Sequence, residues 1–213
     1  MDDSITLARI KPYPLKTDAD DSIWGTDQTL ECGKFYQIIS ASGTGKSTLI
    51  GILSGIRADY SGNLFYGSLS LRSAALNQWI SLRSAKLSVV YQDLKLFDSL
   101  TAIENITLLD AFRRPVNLFP VKDWIELLGM TEKMDTAVKF LSYGQKQRIA
   151  ILRALNKDFR WLFLDEPFSH LDQVNLEIAM QLIINECKSR NAGIVITGLD
   201  KRFAREDFIS LSI

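Results

Sequence analysis

The sequence has little cysteine, histidine and proline, and it has no excess of charge of either sign. Its 213 residues include two cysteines, one histidine and five prolines, and 25 basic side chains balance 25 acidic ones. Cys32 and Cys187 provide no disulfide framework, and with His170 as the single histidine a Cys/His zinc site is excluded in practice. The neutral charge disfavours a strongly basic nucleic-acid-binding protein.

Long apolar runs are missing as well. No window approaches the roughly 18 apolar residues that a membrane-spanning helix requires. The acidic start at residues 1–4 is not followed by the apolar block of a secretory signal. Any membrane role is therefore expected to come through a partner. With 46% hydrophobic and 23% charged residues, the composition is that of an ordinary globular protein, and we expect a single domain over residues 1–213.

Short apolar runs alternate with stretches of helical spacing along the chain. The polar segment 16–28 indicates a loop or hairpin, and the stretch from about residue 100 to residue 140 is rich in helical patterns. Continuous apolar strands between helices are typical of a parallel sheet covered on both faces, so the sequence predicts an α/β fold with an inserted helical lobe at about 95–145. The predicted strands are Phe35–Ile39, Leu87–Tyr91, Trp161–Leu164 and Ile194–Thr197, and a helix is predicted at Ser47–Leu53.

A glycine-rich segment, Ser-Ala-Ser-Gly-Thr-Gly-Lys-Ser-Thr at residues 40–48, lies between the first of these strands and the helix. Its residues 43–47 match the second half of a phosphate-binding loop, in which glycines let backbone N–H groups converge on phosphate oxygens. Lys46 is expected to reach the β- and γ-phosphates of a nucleotide, and Ser47 to bind Mg²⁺. The pattern begins with glycine, and Ser40 stands at that position. Whether the backbone at the loop entry has the conformational freedom that glycine provides is therefore an open question at the level of the sequence. The other expected nucleotide contacts are Ser42, Gly43, Thr44, Gly45 and Thr48.

Two consecutive acids follow the apolar run Trp161–Leu164. Burial of a carboxylate at the end of a strand costs free energy unless the group is paired or binds a metal. In α/β sheets, ligands bind at the carboxyl ends of the strands. Asp165 is therefore expected to hold Mg²⁺, and Glu166 to polarise a water that attacks the γ-phosphate. The alternative is a turn with two solvated acids, which the phosphate loop disfavours.

Residues 141–148 read Leu-Ser-Tyr-Gly-Gln-Lys-Gln-Arg, and they stand ahead of the strand at Trp161. This segment resembles the signature motif of the ABC-type ATPases, and the resemblance extends over nearly the whole chain. It implies a P-loop NTPase fold: an ABC-type ATPase core with a parallel sheet, an N-terminal antiparallel β region and an inserted helical lobe. It also implies that the chain binds and hydrolyses ATP with Mg²⁺.

The resemblance gives further residues a role. Gln92 is similar to the Q-loop glutamine, which senses Mg²⁺ and the transport partner. Ser142 and Gly144 fall on signature positions that bind the γ-phosphate of ATP held by another subunit, and Gln145 falls on the adjacent polar position. Residues 169–172 look like the D-loop, which crosses the dimer interface.

An aromatic side chain in the N-terminal region is expected to stack on the adenine of ATP in this family. Tyr13 is the first candidate by its distance from the phosphate loop, and Trp24 is the second. Either residue could instead contribute to packing. His170 is interpreted as a surface or interface residue of the D-loop.

Two positions depart from the family pattern. Tyr143 replaces a signature glycine, and its side chain is expected to point away from the phosphate clamp. In the family a histidine follows the threonine of this strand, and Gly198 stands at its position here. This departure predicts that Glu166 supports only slow hydrolysis. Alternatively, another residue takes over the switch role of the histidine.

The segment 82–106 is similar to subunits of the lipoprotein-releasing, macrolide-exporting and cell-division group. Phe97, Leu100 and Ile103 are expected to line a groove for a helix of a membrane partner, with Glu104 and Asn105 at its rim; alternatively they belong to the core of the helical lobe. The implied function is an ABC transporter ATPase subunit on the cytoplasmic face of the inner or plasma membrane. Its implied partners are a second ABC ATPase subunit, in a homo- or heterodimer, and a transmembrane permease, with no nucleic acid. The alternative is a slow or non-hydrolysing ATP-gated clamp.

Overall fold

Strands and helices alternate along the chain in the computed structural model, which describes residues 2–13, 22–108, 119–199 and 204–213. The strands are β1 (Ile5–Pro12), β2 (Asp27–Leu30), β3 (Phe35–Ile39), β4 (Tyr60–Tyr66), β5 (Leu69–Ser70), β6 (Leu87–Val90), β7 (Trp161–Asp165), β8 (Gly193–Gly198) and β9 (Ile209–Ser210). The α-helices are α1 (Lys46–Leu53), α2 (Leu76–Ala85), α3 (Ala102–Thr107), α4 (Phe119–Leu127), α5 (Tyr143–Leu155) and α6 (Gln173–Ser189). Two short 3₁₀ helices, Thr131–Lys133 and Val138–Phe140, stand between α4 and α5. None of the helices in these ranges is long and apolar enough to cross a membrane.

Five of the described strands form a parallel sheet in the order β6–β7–β8–β3–β9. The predicted parallel α/β core is confirmed, and the four predicted strands are present with ends that differ by a residue or so. The strand β7 is buried at every position, which agrees with its four consecutive apolar residues and includes Asp165 at its end.

The candidate site lies at the carboxyl ends of four parallel strands. Because β6, β7, β8 and β3 run in the same direction as neighbours, the segments that follow them meet at one edge of the sheet. Asp165 and Gly198 end two of these strands at that edge, and the segments that follow the strands contain Gln92, Glu166 and the phosphate loop. The strand order thus brings together residues that are more than 100 positions apart in the sequence.

A second sheet lies in the N-terminal part of the chain. Among the described residues it has the order β2–β1–β4–β5, and its strands pair antiparallel. This confirms the antiparallel β region that the resemblance implied. Within the polar segment predicted as a loop or hairpin, Asp27 and Gln28 belong to β2, while positions 16–21 lie outside the described residues.

Two clusters of buried apolar side chains hold these layers together. One lies between the antiparallel sheet, α1 and one face of the parallel sheet, and it includes Trp161. The other joins the opposite face of the sheet to the helices α3 to α6. Trp124, Ile125 and Leu128 enter it at the helical spacing seen in the sequence. Cys187 is also buried there, and burial raises the pKa of its thiol to about 12, which fits a core residue.

Candidate nucleotide-binding site

The phosphate loop connects β3 to α1 and owes its shape to two glycines. Gly43 has φ 84° and Gly45, the residue that caps α1, has φ 107°, a left-handed backbone that side chains with a Cβ rarely adopt. The backbone N–H groups at the start of α1 have no partners within the helix, and they carry its positive dipole end. The geometry of the loop and of the helix start is therefore suited to an anion.

Ser40 at the loop entry does not adopt a backbone conformation with positive φ, which would favour glycine. Its hydroxyl lies 2.7 Å from the hydroxyl of Thr44. Serine at this position thus closes the loop with a side-chain hydrogen bond. The departure from the usual pattern leaves the loop geometry intact.

Lys46 is buried, with only 3% of its surface exposed. Its ammonium group donates hydrogen bonds to the carbonyl oxygens of Ser40 at 2.8 Å and Ala41 at 2.7 Å. Its Nζ also lies 3.6 Å from Oε1 of Glu166. A buried charge requires such partners, and these interactions hold the ammonium beside the phosphate loop.

Thr197 on β8 forms hydrogen bonds with both acids at the end of β7. Its hydroxyl donates to Oδ1 of Asp165 at 2.8 Å, and its carbonyl accepts from the backbone N–H of Glu166 at 3.2 Å. Glu166 has φ 49°, a strained conformation that persists where surrounding contacts fix it. The sequence interpretation gave Thr197 no such role. A hydroxyl at the end of the neighbouring strand is the signal that would have indicated it.

Gln92 follows β6 and faces the start of α1. The Ser47 hydroxyl donates to Oε1 of Gln92 at 3.4 Å. The backbone then turns through Leu94 and Lys95, whose φ values are 61° and 48°. Arg153 of α5 donates to both of their carbonyl oxygens, at 2.6 Å and 2.7 Å. The turn is therefore stabilised by hydrogen bonds from α5, a helix that follows about 50 residues later in the chain.

An open cavity of about 310 Å³ lies over the phosphate loop. Tyr13 stands at its border with 59% of its surface exposed, whereas Trp24 is 4% exposed and lies in the core. Of the two aromatic candidates, only Tyr13 therefore has a face available to a base. The cavity is lined by Tyr13, Ser42, Gly43, Gly45, Lys46, Ser47, Thr48, Arg57, Gln92 and Glu166.

Arg57 at this cavity is a residue that the sequence interpretation missed. Its guanidinium donates to the Thr48 hydroxyl at 2.9 Å and to the Tyr13 carbonyl at 3.2 Å. The guanidinium also donates hydrogen bonds to the Asp59 carboxylate, which raise the pKa of Arg57 and lower the pKa of Asp59. Arg57 thus joins the candidate stacking residue to α1. No local motif marks it, because the contact depends on the approach of β1 to α1.

The signature residues begin α5 and do not line the cavity. Ser142 caps the helix: its hydroxyl accepts from the N–H of Gln145 at 3.3 Å, and its own N–H donates to Oε1 of Gln145 at 2.9 Å. A Cβ on Gly144 would lie 2.8 Å from the carbonyl oxygen of His170, so a glycine is needed for this close approach. Among the described lining residues of the cavity there is no signature position.

Tyr143 points onto other loops of its own chain. Its hydroxyl donates to the carbonyl oxygen of Gln92 at 2.8 Å, and its ring lies 4.2 Å from the ring of His170. His170 is exposed, as its interpretation as a surface residue requires. That Tyr143 points away from the phosphate clamp stays a prediction, and its contact with Gln92 was not foreseen.

Of the three residues expected to line a groove, only Phe97 belongs to the described lining of a cavity there. Leu100 and Ile103 are not in that lining, and Ile103 packs against the core of the helical layer, as the alternative had it. Phe97 is 52% exposed and borders a cavity of about 350 Å³. Asn105, however, was expected at the rim and is fully buried, where its amide donates to the Phe97 carbonyl at 3.1 Å and accepts from the Phe97 N–H at 2.8 Å. Glu104 is exposed but caps α3 through Thr101. Asn105 therefore shapes the segment that carries Phe97, and its placement at the rim was wrong.

Comparisons with known proteins cover most of these elements. A model of the ABC transporter family matches residues 25–169. The lipoprotein-releasing system ATP-binding protein LolD of Legionella pneumophila (strain Lens) is 30% identical over 203 residues, which cover 91% of this chain and 87% of LolD. The methionine import ATP-binding protein MetN of Photobacterium profundum is 33% identical over 79% of this chain and 49% of MetN. A dimeric post-hydrolysis structure of the ATP-binding cassette MJ0796 with ADP and Pi aligns at a TM-score of 0.81 and 25% identity, over 97% of this chain and 94% of that one.

Proposed function

This chain belongs to the ABC transporter family as an ATP-binding and ATP-hydrolysing subunit, and we propose that two such subunits enclose ATP between them to drive a membrane permease. The second subunit is another copy of this chain or a close relative. The family resemblance inferred from residues 141–148 is confirmed by these matches. The roles of individual residues below are our proposal.

The observation that carries this proposal is the separation of the signature residues from the cavity of the same chain. Lys46, Ser47, Gln92 and Glu166 line that cavity, whereas Ser142 is exposed at the start of α5 and is not among the lining residues. Ser142 and the N–H groups of the first turn of α5 would form a second anion clamp. A second subunit packed head to tail would bring this clamp to the γ-phosphate, and ATP would then be bound by donors from both chains.

The residues of the cavity suit hydrolysis of the γ-phosphate. Phosphate oxygens are expected to replace the carbonyls of Ser40 and Ala41 as acceptors for Lys46, whose charge then stabilises the transition state. Glu166 is placed to accept a proton from the attacking water. The loss of the Lys46–Glu166 contact on nucleotide binding would leave the Glu166 carboxylate available for that water.

Two residues of the cavity lining, Ser47 and Gln92, and Asp165 at the end of β7 present oxygen atoms that would suit Mg²⁺. Ser47 and Gln92 are 3.4 Å apart through their side-chain oxygens, and the Asp165 carboxylate lies at the end of β7. Hydroxyl, amide and carboxylate oxygens are ligands that Mg²⁺ prefers, together with substrate phosphates. We propose that Ser47, Gln92 and Asp165 hold the ion, which when bound would neutralise charge on the β- and γ-phosphates.

The absence of a histidine at position 198 favours slow turnover. Gly198 ends β8 beside the phosphate loop, where its carbonyl accepts from the Ser40 N–H at 3.3 Å. The position thus contributes backbone contacts to the site and no side chain. A non-hydrolysing clamp is not favoured, because Glu166 and Lys46 both line the cavity.

Replacement of Tyr13 tests the proposed adenine contact. Tyr13→Ala is expected to raise the KM for ATP by about tenfold with kcat unchanged, because stacking of a base on an aromatic ring contributes about 1–3 kcal/mol. Tyr13→Trp is the matched control and is expected to retain the KM of the parent. Steady-state phosphate release over a range of ATP concentrations gives both constants. An unchanged KM in Tyr13→Ala would remove this residue from the binding site.

The cavity beside Phe97 is proposed as the docking site of the permease. Its described lining combines apolar side chains with the basic residues Arg83, Lys95, Arg153 and Lys157, and contains no acidic residue. This surface is complementary to a helix that presents apolar and acidic side chains. The chain would then be peripheral on the cytoplasmic face of the membrane.

The segment 95–145 is proposed to form a helical lobe within one ATPase domain over residues 1–213. In support, α3 and α4 lie between β6 and β7, and their buried side chains share a cluster with α5. Residues 109–118 of the segment lie outside the described part of the chain.

Two measurements test the proposed function. The purified chain should release phosphate from ATP and dimerise when ATP is present, as followed by light scattering in a Glu166→Gln background. Activity without any other subunit would favour a homodimer over a heterodimer. From membranes, the chain should co-purify with an integral membrane protein, and Arg83→Glu should weaken this association while phosphate release by the isolated chain is retained. A chain that neither hydrolyses ATP nor dimerises with it would contradict the proposal.

A further inference from the structure

Tyr143 connects the start of α5 to two loops of its own chain. It is the first residue of α5 and follows Ser142 directly. Its hydroxyl donates to the Gln92 carbonyl at 2.8 Å, and its ring centroid lies 4.2 Å from that of His170, with 48° between the ring planes. A glycine at this position would supply neither contact.

The loop at Gln92 is attached to α5 at a second point. Arg153 donates to the carbonyl oxygens of Leu94 at 2.6 Å and Lys95 at 2.7 Å. Tyr143 and Arg153 are ten residues apart on α5, which corresponds to about 15 Å of helix. Since Leu94 and Lys95 adopt left-handed φ values, the strained turn requires contacts that fix it. The helix α5 therefore holds the segment 92–95 from both ends.

The side chain of Gln92 points in the opposite direction, to the cavity of its own chain. It accepts from the Ser47 hydroxyl at 3.4 Å, next to the proposed Mg²⁺ position. The backbone of Gln92 is thus tied to α5, and its side chain is tied to α1. A displacement of the start of α5 would move the amide oxygen that the metal ion is expected to use.

A second path leads from Tyr143 to the acid that follows β7. Nδ1 of His170 lies 2.9 Å from the Ser169 hydroxyl, which also accepts from the Gln147 amide at 2.9 Å. The carbonyl oxygen of Gln147 accepts from the His170 N–H at 3.0 Å, and the Gln147 amide lies 3.5 Å from the Glu166 carbonyl oxygen. The ring of Tyr143 therefore rests on a segment whose hydrogen bonds continue to Glu166.

We propose that Tyr143 is a positioning residue that couples the two ATP sites of the dimer. When Ser142 engages the γ-phosphate in one site, Tyr143 transmits the position of α5 to Gln92, which serves the other site. This inference rests on the proposed function, because it requires Ser142 and Gln92 of one chain to serve different ATP molecules. Coupling of this kind needs a contiguous physical connection with two arrangements, and Tyr143 supplies the contact between signature and Q-loop.

The experiment compares the full chain with Tyr143→Phe, which removes only the hydroxyl. Tyr66→Phe is the matched control, because the Tyr66 hydroxyl also donates to a backbone carbonyl, that of Leu53 at 3.0 Å, but far from α5 in the sequence and in another cluster. Hydrogen–deuterium exchange is measured for amides at 92–96 in the nucleotide-free chain. The ATP dependence of phosphate release gives the Hill coefficient, kcat and KM.

Tyr143→Phe is expected to speed exchange at 92–96 by about two- to tenfold, the effect of one hydrogen bond. Its Hill coefficient should fall toward one, while Tyr66→Phe retains both values of the parent. An unchanged exchange rate at 92–96 in Tyr143→Phe would show that the Tyr143 hydroxyl does not hold the Gln92 segment, whatever the values of kcat, KM and the Hill coefficient. Faster exchange with an unchanged Hill coefficient would overturn the coupling. A parent chain that does not dimerise would refute the proposed function and the coupling with it, while the exchange measurement still decides whether Tyr143 holds Gln92.

Discussion

Glu166→Gln should lower steady-state phosphate release by about two to four orders of magnitude, the usual contribution of a general base. Glutamine keeps the shape of the side chain but does not accept the proton of the attacking water. The backbone contact of Glu166 with Thr197 does not involve the carboxylate and should remain. ATP binding should therefore be retained, because the phosphate loop and Lys46 are intact.

The matched control for this prediction is Glu126→Gln, which removes an exposed carboxylate on α4. Phosphate release and equilibrium ATP binding are measured for both variants and the parent. An unchanged rate in Glu166→Gln would show that another group orients the water. That outcome would also weaken the interpretation that Glu166 supports slow hydrolysis in a chain that has Gly198 in place of the histidine.

Lys46→Met should weaken ATP binding by on the order of a hundredfold or more, because charge-assisted hydrogen bonds to phosphate are among the strongest in proteins. The ammonium is buried beside the loop, and methionine retains most of its apolar volume. Hydrolysis should be lost together with binding.

The control for Lys46→Met is Lys139→Met, an exposed lysine whose ammonium lies over the Phe140 ring. Thermal unfolding of Lys46→Met establishes that the variant is folded, and titration with a fluorescent ATP analogue gives the affinity. A folded Lys46→Met chain with the affinity of the parent would mean that the cavity over the phosphate loop is not where the triphosphate binds.

Features that depend on neighbouring residues in the chain were predicted well from the sequence. The apolar runs of β3 and β7, the glycines at 43 and 45, and the acids at 165 and 166 each carry a local physical signal. Parallel pairing of apolar strands then brings them to one edge of the sheet.

Contacts between distant segments could not be predicted in the same way. Thr197 reaches Asp165 across a strand pair, and Tyr143 reaches Gln92 over 51 positions in the sequence. Asn105 is a polar residue in a short helix, and its burial depends on backbone groups of the Phe97 segment that it satisfies. Trp24 was a plausible stacking residue by position, but the approach of the two sheets places it in the core.

The central claim is that each ATP site is completed by a second subunit, and mixing two inactive variants tests it most directly. Lys46→Met disables the phosphate loop, and Ser142→Glu places a carboxylate where the signature clamp would meet the γ-phosphate. Each variant alone should be inactive. A 1:1 mixture should recover activity, up to about a quarter of that of the parent, because half of the dimers contain one site with both Lys46 and Ser142 intact. A mixture that dimerises with ATP and stays as inactive as each variant alone would contradict the account.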